Sequence, residues 1–241
     1  MDMVTEDTLL IIRRNDFLAK LSEEEHDALN IEHNVVIADK NSYIYFTPQK
    51  CNKLYFIKEG YVKIGSVDDD GEEFLKDILQ PGDLFGQFIL DACGNNTMHS
   101  EFAQAYKADT TLCALAIHDF QKLLERRPDL AIQYSKKIGQ KIKKVENRLM
   151  NLLQKDVRTR LLYFFSTLLQ DKLMGADSLT IENFLTHGDI AHLTGCSRQS
   201  VTTLVNKFSE EGLLDIDRNT ITIHNVKLLL KLTKQSDPII A

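Results

Sequence analysis

The stretch Leu185-Thr186-His187-Gly188-Asp189-Ile190-Ala191-His192-Leu193-Thr194-Gly195-Cys196-Ser197-Arg198-Gln199-Ser200-Val201-Thr202-Thr203-Leu204-Val205-Asn206-Lys207-Phe208 reads as a helix, a turn and a second helix. Ile190, Ala191 and Leu193 form the inner side of the first helix, and the small Ala191 lets the second approach closely. Gly195 supplies the turn, because it enters the left-handed region without steric cost. Ser197 is placed to cap the second helix, whose inward residues are Val201, Leu204, Val205 and Phe208. The pattern leaves Arg198, Gln199, Thr202 and Thr203 exposed near its N-terminal end. Leu213 to Ile216, then Asp217-Arg218-Asn219, then Thr220 to His224 follow as a hairpin, which makes a wing. In this order the first turns of the second helix enter the major groove of DNA, and its amide end favours phosphate. The competing reading, a helical hairpin for protein contact, leaves the wing unexplained.

Upstream of this motif the texture is different. From Asn34 to Ile117 short β-rich runs follow one another: Val35–Ile37, Tyr43–Phe46, Leu54–Ile57, Tyr61–Ile64, Phe74–Ile78 and Thr111–Leu115. Many short strands at close spacing imply a barrel or sandwich. Asp69-Asp70-Gly71 and Pro81-Gly82-Asp83 are turn signals, and Gly60 and Gly82 mark bends. Ahead of the strands, residues 6 to about 31 read as an amphipathic helical region in which Ser22 and Glu25 form a capping box.

After Asp119 the period becomes helical. Ile138, Ile142, Val145, Leu149 and Leu152 are spaced 4, 3, 4 and 3, the narrow seam of a two-stranded coiled coil and not the wider stripe of a core-facing helix. Lys136, Lys137, Lys141, Lys143 and Lys144 keep the other faces wet. The expectation is a homodimer. Asp156 caps a further helix with Leu161, Leu162, Phe164, Phe165, Leu168 and Leu169 on its buried side, so a hinge falls at Leu153 to Asp156. The resulting division is 1–127 β-rich domain with its N-terminal helix, 128–155 dimerisation helix and 156–241 winged helix-turn-helix. The fold class is α+β.

The chain of 241 residues carries a net charge of −6, 43% hydrophobic and 27% charged residues, the profile of an ordinary globular protein with more than one domain. No apolar run approaches the roughly 18 residues of a membrane span, and the Met1-Asp2-Met3 start lacks a signal-peptide layout. Cys51, Cys93, Cys113 and Cys196 lie far apart with no C-x-x-C pair, which fits a reduced cytoplasm. Residues 1–120 hold 10 Lys+Arg against 22 Asp+Glu, residues 121–155 hold 10 against 3, and residues 156–241 hold 9 against 10. The last segment has no basic excess, so a nucleic-acid reading stands on motif and geometry. G-x-S-x-G, H-E-x-x-H, Walker and dinucleotide glycine patterns are absent from the sequence, which speaks against an enzyme.

The run from Asp189 to Thr203 resembles the recognition motif of the family of the cyclic-AMP receptor protein and the fumarate and nitrate reduction regulator (Crp/Fnr). Pro81-Gly82-Asp83-Leu84-Phe85-Gly86, the long helix and the wing occur in that family's order. The resemblance implies a bacterial, cytoplasmic, homodimeric transcription regulator. It further implies a cyclic-nucleotide-binding-like β-roll (a double-stranded β-helix or jelly roll), palindromic promoter DNA and RNA polymerase as partners, and an effector of unknown identity. Ser197, Arg198, Gln199, Ser200, Thr202 and Thr203 are then the DNA-binding set. Gln199 stands where the family commonly has Glu, and Thr203 where it often has Arg, so the half-site is expected to depart from a TGTGA-like sequence.

In the sensor, cyclic-AMP-binding members of the family place a Glu after Phe-Gly or Ile-Gly and an Arg-Ser pair further on. These positions are Gln87 and Phe102-Ala103 here, giving Gly86, Gln87, Phe102 and Ala103 as the effector pocket. A pocket without the guanidinium lacks the bidentate bond that offsets desolvation of a cyclic phosphate, and Lys107 would be a point charge in its place. Cyclic AMP is therefore not the expected effector. An iron–sulfur cluster has no N-terminal cysteine group, and Cys93, Met98 and His99 read as a surface loop more than as haem ligands, so no cofactor or metal is expected. A sensor-like module acting on a protein partner instead of DNA is the alternative.

Overall fold

In the computed structural model the described residues are 20–22, 24–25, 35–46, 52–86, 88, 100–168 and 176–234. They form two compact units, Met1–Gln140 and Lys141–Ala241. The first unit is an antiparallel roll of β1 (Val35–Ala38), β2 (Tyr43–Phe46), β3 (Lys53–Val67), β4 (Glu73–Leu79), β5 (Leu84–Gly86) and β6 (Ser100–Ala116). The strand order is β1-β6-β3-β4, with β2 also on β6 and β5 also on β3.

The two runs Leu54–Ile57 and Tyr61–Ile64, read from the sequence as separate strands, belong to one strand bent at Gly60. Glu59 pairs with Thr111 and Tyr61 with Tyr106, so β6 carries a bulge opposite the bend. Gly60 has φ of 82°, and a Cβ there would lie 2.6 Å from Thr110 Oγ1 and 2.7 Å from the Asp109 carbonyl oxygen. Only glycine meets both demands. The fully buried Thr110 hydroxyl donates to the Tyr61 carbonyl at 3.1 Å, closing the corner. The hairpin expected at Asp69-Asp70-Gly71 joins β3 to β4, and Asp68 Oδ1 accepts from the amides of Asp70 and Glu72.

Both faces of β3 are covered. Leu54 and Phe56 point to a cluster with Leu115, Ile117, Phe120, Leu123, Leu130 and Tyr134, while Tyr55 and Ile57 point to the roll interior with Val62, Phe85, Ala103 and Leu112. The first cluster is supplied by α1 (Ile117–Arg126), whose buried Ile117, Phe120, Leu123 and Leu124 make one stripe, and by the start of α2 (Pro128–Gln154). Pro128 sits at the first helical position of α2, where its missing N–H costs nothing, and it ends α1 at the residue before. The Ser22–Glu25 capping box is present, with Glu25 N–H donating to Ser22 Oγ at 3.3 Å and Ser22 N–H to Glu25 Oε2 at 2.8 Å. The rest of the helix expected over 6 to 31, apart from residues 20–22 and 24–25, lies outside the described residues.

The second unit contains α3 (Val157–Leu168), β7 (Leu179–Glu182), α4 (His187–Thr194), α5 (Arg198–Glu210), β8 (Leu214–Ile216), β9 (Thr220–Ile223) and α6 (Val226–Lys234). Asp156 caps α3, accepting from Thr159 N–H at 2.8 Å. On α3, Leu161, Leu162 and Phe165 are buried as expected, Phe164 and Leu168 are half-buried, and Leu169 lies outside the described residues. The sheet order is β7-β9-β8, so the wing hairpin has a third strand that the sequence reading did not include. No helix among the described residues is long and apolar enough to cross a membrane.

The bend makes a direct prediction. Gly60→Ala should destabilise the chain by at least about 1 kcal/mol from the left-handed backbone alone, and by more through contact with Thr110. Gly71→Ala, which has φ of 84° but nothing within 4 Å of its Cβ, should cost only the backbone part. Thermal melts of the two variants compare them; an equal loss would mean the close approach at Gly60 contributes nothing.

Candidate nucleic-acid interface and sensor interior

Helix α4 begins at a complete capping box. Asp189 N–H donates to Thr186 Oγ1 at 3.1 Å and Thr186 N–H donates to Asp189 Oδ2 at 2.7 Å. It ends at Gly195, with φ of 63°, whose N–H donates to the Ala191 carbonyl. A Cβ at Gly195 would collide with the Leu152 side chain, so the glycine serves both the turn and the packing beneath it. Ile190, Ala191 and Leu193 are buried as the motif requires.

Ser197 caps α5: its Oγ accepts from Ser200 N–H at 3.0 Å and lies 2.9 Å from Ser200 Oγ. Val201, Val205 and Phe208 are buried and Leu204 half-buried, so the helix is seated on its expected face. At the far end Arg158 forks onto Glu211 with bonds of 3.1 and 2.6 Å, and its guanidinium lies 4.8 Å from the Phe208 ring centroid. That pairing draws the Glu211 carboxyl below its ordinary range. The first turns of α5 therefore stand on a helix fixed at both ends.

Ser197, Arg198, Gln199 and Thr203 are exposed and Ser200 is half-buried. Thr202 departs from the expected exposure: it is half-buried, its hydroxyl donates to the Arg198 carbonyl at 3.0 Å, and it lies 2.9 Å from His187 Nδ1. Helical spacing explains this, because Thr202 is one turn beyond Arg198 on the side that faces the start of α4. His187 is half-buried at this junction; burial, then the Arg198 charge, hold its pKa below the ordinary histidine value.

The wing tip is tied by Asp217, whose Oδ1 accepts from Asn219 N–H at 2.6 Å and Thr220 N–H at 2.7 Å. Those amides pull the Asp217 carboxyl below its ordinary range. Asn183 Nδ2 donates to the Asp217 carbonyl at 2.6 Å, fastening the hairpin to the end of β7. Arg218 is exposed at the tip, a cation the sequence reading noted in the turn without giving it a role.

In the first unit, Phe102 and Ala103 are fully buried on β6. The Phe102 ring lies over Gly65, 5.7 Å from Tyr43 edge-on and 5.5 Å from Lys63 Nζ. Ala103 shares the roll interior with a stack of Tyr45, Tyr55 and Phe85, in which Tyr55 and Phe85 are 4.9 Å apart and nearly parallel. Gly86 follows Phe85 and pairs with Leu54. Gln87 lies outside the described residues, as do Cys51, Cys93, Met98 and His99. Lys107 is on the β6 bulge with its Nζ over the Tyr106 ring at 5.7 Å. Burial pushes the Cys113 thiol up to about 12, which closes thiolate chemistry to it. Among the described residues no three His, Cys, Asp or Glu side chains gather as a metal site.

Along α2, Ile142, Val145, Leu149 and Leu152 are 55%, 61%, 54% and 39% exposed in the single chain. Ile138 differs, being partly buried against the α1 cluster of the first unit. Leu153, Met150 and Ile132 add exposed apolar surface outside the 4-3-4-3 pattern.

A strand roll followed by a winged helix-turn-helix defines a two-domain protein whose second domain has a DNA-binding fold. Residues 35–127 match the cyclic nucleotide-binding domain family and residues 159–232 the Crp-like helix-turn-helix domain. The chain is 28% identical over 187 residues to the global nitrogen regulator of Nostoc sp., covering 77% of this chain and 83% of that protein. It is 27% identical over 218 residues to the fumarate nitrate reduction regulatory protein of Klebsiella oxytoca, covering 90% and 85%. A solved structure of a CooA mutant from Carboxydothermus hydrogenoformans superposes with a TM-score of 0.70 at 25% identity, covering 97% of each chain. The chain belongs to the Crp/Fnr family of DNA-binding transcription regulators.

The Ser197 cap yields a prediction for the reader. Ser197→Ala removes the acceptor of the Ser200 amide and should cost the second unit about 1 kcal/mol. Amide exchange at Ser200 should quicken in step with a lowered melting temperature; unchanged exchange there would mean the cap does not hold the first turn.

Proposed function

We propose that the chain works as a homodimer that reads a two-fold symmetric DNA site through Arg198, Gln199 and Thr203, under a sensor that answers to something other than cyclic AMP. The observation that carries this reading is the capped first turn of α5, which presents exposed Arg198 and Gln199 beside a tied wing. Arg198 suits guanine or phosphate, Gln199 pairs with adenine, and Thr203 reaches a thymine methyl or a phosphate. Ser197 and Ser200 keep their hydroxyls on the cap and act by shaping the turn.

The dimer reading rests on the apolar row of α2, since a row of half-exposed Ile, Val and Leu side chains at coiled-coil spacing is unusual on a lone surface. Residues 128–155 are the dimerisation helix in this reading. Two such readers must stand about 34 Å apart to meet successive major grooves, so a small change at Gln154-Lys155 is enough to switch binding. RNA polymerase is the protein partner this function calls for.

The sensor reading rests on Phe102 and Ala103. A cyclic phosphate is a full anion, and the fully buried apolar Phe102 offers no donor where the family's guanidinium would stand. The stack of Tyr45, Tyr55 and Phe85 fills the interior next to Ala103 with aromatic carbon.

Selection of a random duplex pool by the purified chain, at fixed salt, with and without cyclic AMP, tests the whole reading. Enrichment of a symmetric site without the nucleotide is the expected result. Enrichment only with cyclic AMP would overturn the sensor reading, and none in either arm would point to a missing effector or to a protein partner in place of DNA. Gln199→Ala should relax one position in each half-site at a cost of about 1–3 kcal/mol there; an unchanged logo refutes the role of Gln199. Ile142→Glu should convert dimer to monomer by sedimentation, and a variant that stays dimeric removes Ile142 from the seam.

A further inference from the structure

The contact between His187 and Thr202 joins the first residue of α4 to the second turn of α5, at 2.9 Å from Nδ1 to Oγ1. The Thr202 hydroxyl has one proton, and the Arg198 carbonyl 3.0 Å away can only accept it. Both bonds exist together only when His187 Nδ1 carries a hydrogen and donates to Thr202. The imidazole thus spans the junction of the two motif helices and ends a chain of bonds that runs His187 to Thr202 to the backbone of Arg198. Arg198 is the residue whose side chain, with that of Gln199, stands exposed at the start of α5.

We propose that His187 is a positioning residue for DNA reading: it clasps Thr202 and so fixes the turn that presents Arg198 and Gln199 to the major groove. The proposal rests on the DNA-binding reading above and deepens it. Neither side chain needs to touch a base for this role.

With Nδ1 donating, Nε2 is the atom that titrates. Of the charged groups on the elements packed against α4, Arg198 is the one on α5 that acts on the ring. Lys207 and Glu210 lie at the other end of α5. On α3, Arg158 is forked onto Glu211 and Arg160 lies beside Gly195, at the far end of α4. On α4 itself Asp189 is closed onto Thr186, and His192 lies in the last turn with its carbonyl accepting from Arg148. In the free protein, burial and the Arg198 cation keep the ring neutral near pH 7, and the amide end of α4 acts the same way. A DNA phosphate arriving at Arg198 offsets both positive fields and favours the imidazolium. The bound-state value is then higher than the free-state value, so binding takes up a proton. Affinity rises as pH falls through the bound-state value and levels off below the free-state value. The window lies around and below the ordinary histidine value of about 6.5.

The test measures affinity for the enriched duplex by fluorescence anisotropy from pH 5.5 to 8.5 at constant ionic strength, for the full chain and its variants. The wild type should bind more tightly toward low pH. His187→Ala should bind about three- to tenfold more weakly at pH 8, the range expected for one lost hydrogen bond, and should lose the pH slope. His187→Asn keeps an N–H near the Nδ1 position and should recover most of the affinity at pH 8 while remaining flat with pH. Thr202→Val removes the same bond from the other side and should match the alanine variant, whereas Thr202→Ser should resemble the wild type. Thermal melts of the same proteins keep weakened binding apart from unfolding. An alanine variant with wild-type affinity and slope, or an asparagine variant no better than alanine, overturns the clasp. A wild-type chain that binds no duplex, even at low salt, overturns the DNA reading first, and that outcome is distinct because no variant enters it.

Discussion

The roll depends on one close approach, the seating of Gly60 against the backbone at Asp109 and Thr110. β3 has 15 residues and β6 has 17, far beyond the length of an ordinary strand, and two such strands paired straight would make a flat ribbon with nothing to bury. The bend at Gly60 and the opposing β6 bulge fold the ribbon so that Tyr55 on one half meets the interior shared with Ala103 on the other. The buried Thr110 hydroxyl donates to the Tyr61 carbonyl and ties the two sides of the corner together. The interior of the roll is placed by that corner.

What fills the interior follows from the residue types and sets the chemistry open to it. Polar recognition of an anion needs fixed donors whose desolvation is offset by the ligand. The roll instead presents three stacked rings and the buried Phe102, whose ring covers Gly65 and leaves Lys63 on its face. Lys63 is in turn paired with Glu73 at 3.0 Å, and Glu101 holds both Tyr45 and Lys76. The cations near Phe102 are therefore already committed within the protein, and their release would have to precede any service to a phosphate.

Much of the reader was legible because its signals are local. Gly195 and Ser197 act through backbone bonds within three or four residues, and those bonds are where the motif puts them. The roll was legible as strands but not as two long strands. Gly60 marked a bend, yet whether a bend ends a strand or folds it depends on what packs opposite, which here is Thr110, 50 residues away in sequence. β7 escaped notice for a related reason: Leu179-Thr180-Ile181-Glu182 has only two apolar residues and exists as a strand through its pairing with β9. Thr202 looked exposed because a helix pattern tells which face is buried against the core, not that the start of a neighbouring helix will cover the shoulder of that face.

The near-neutral charge of the last 86 residues looks at odds with binding a polyanion until the acids are placed. The Asp156 carboxylate accepts from an amide in the first turn of α3, that of Asp189 from the Thr186 amide at the cap of α4, and that of Asp217 from the wing backbone. Glu211 is forked by Arg158, Asp177 is paired with Lys227 and Asp215 faces His224 at 2.6 Å. Charges spent in this way fall off quickly at ordinary salt, where fields are screened over about 8–10 Å. The cations that remain exposed at the start of α5 and at the wing tip, Arg198 and Arg218, are not matched in the same way by acids among the described residues. A phosphate senses that local field, together with the amide ends of α4 and α5, and not the sum over the unit. This is also why composition was silent on DNA while geometry was not: the sequence balances its charges, and the fold separates them.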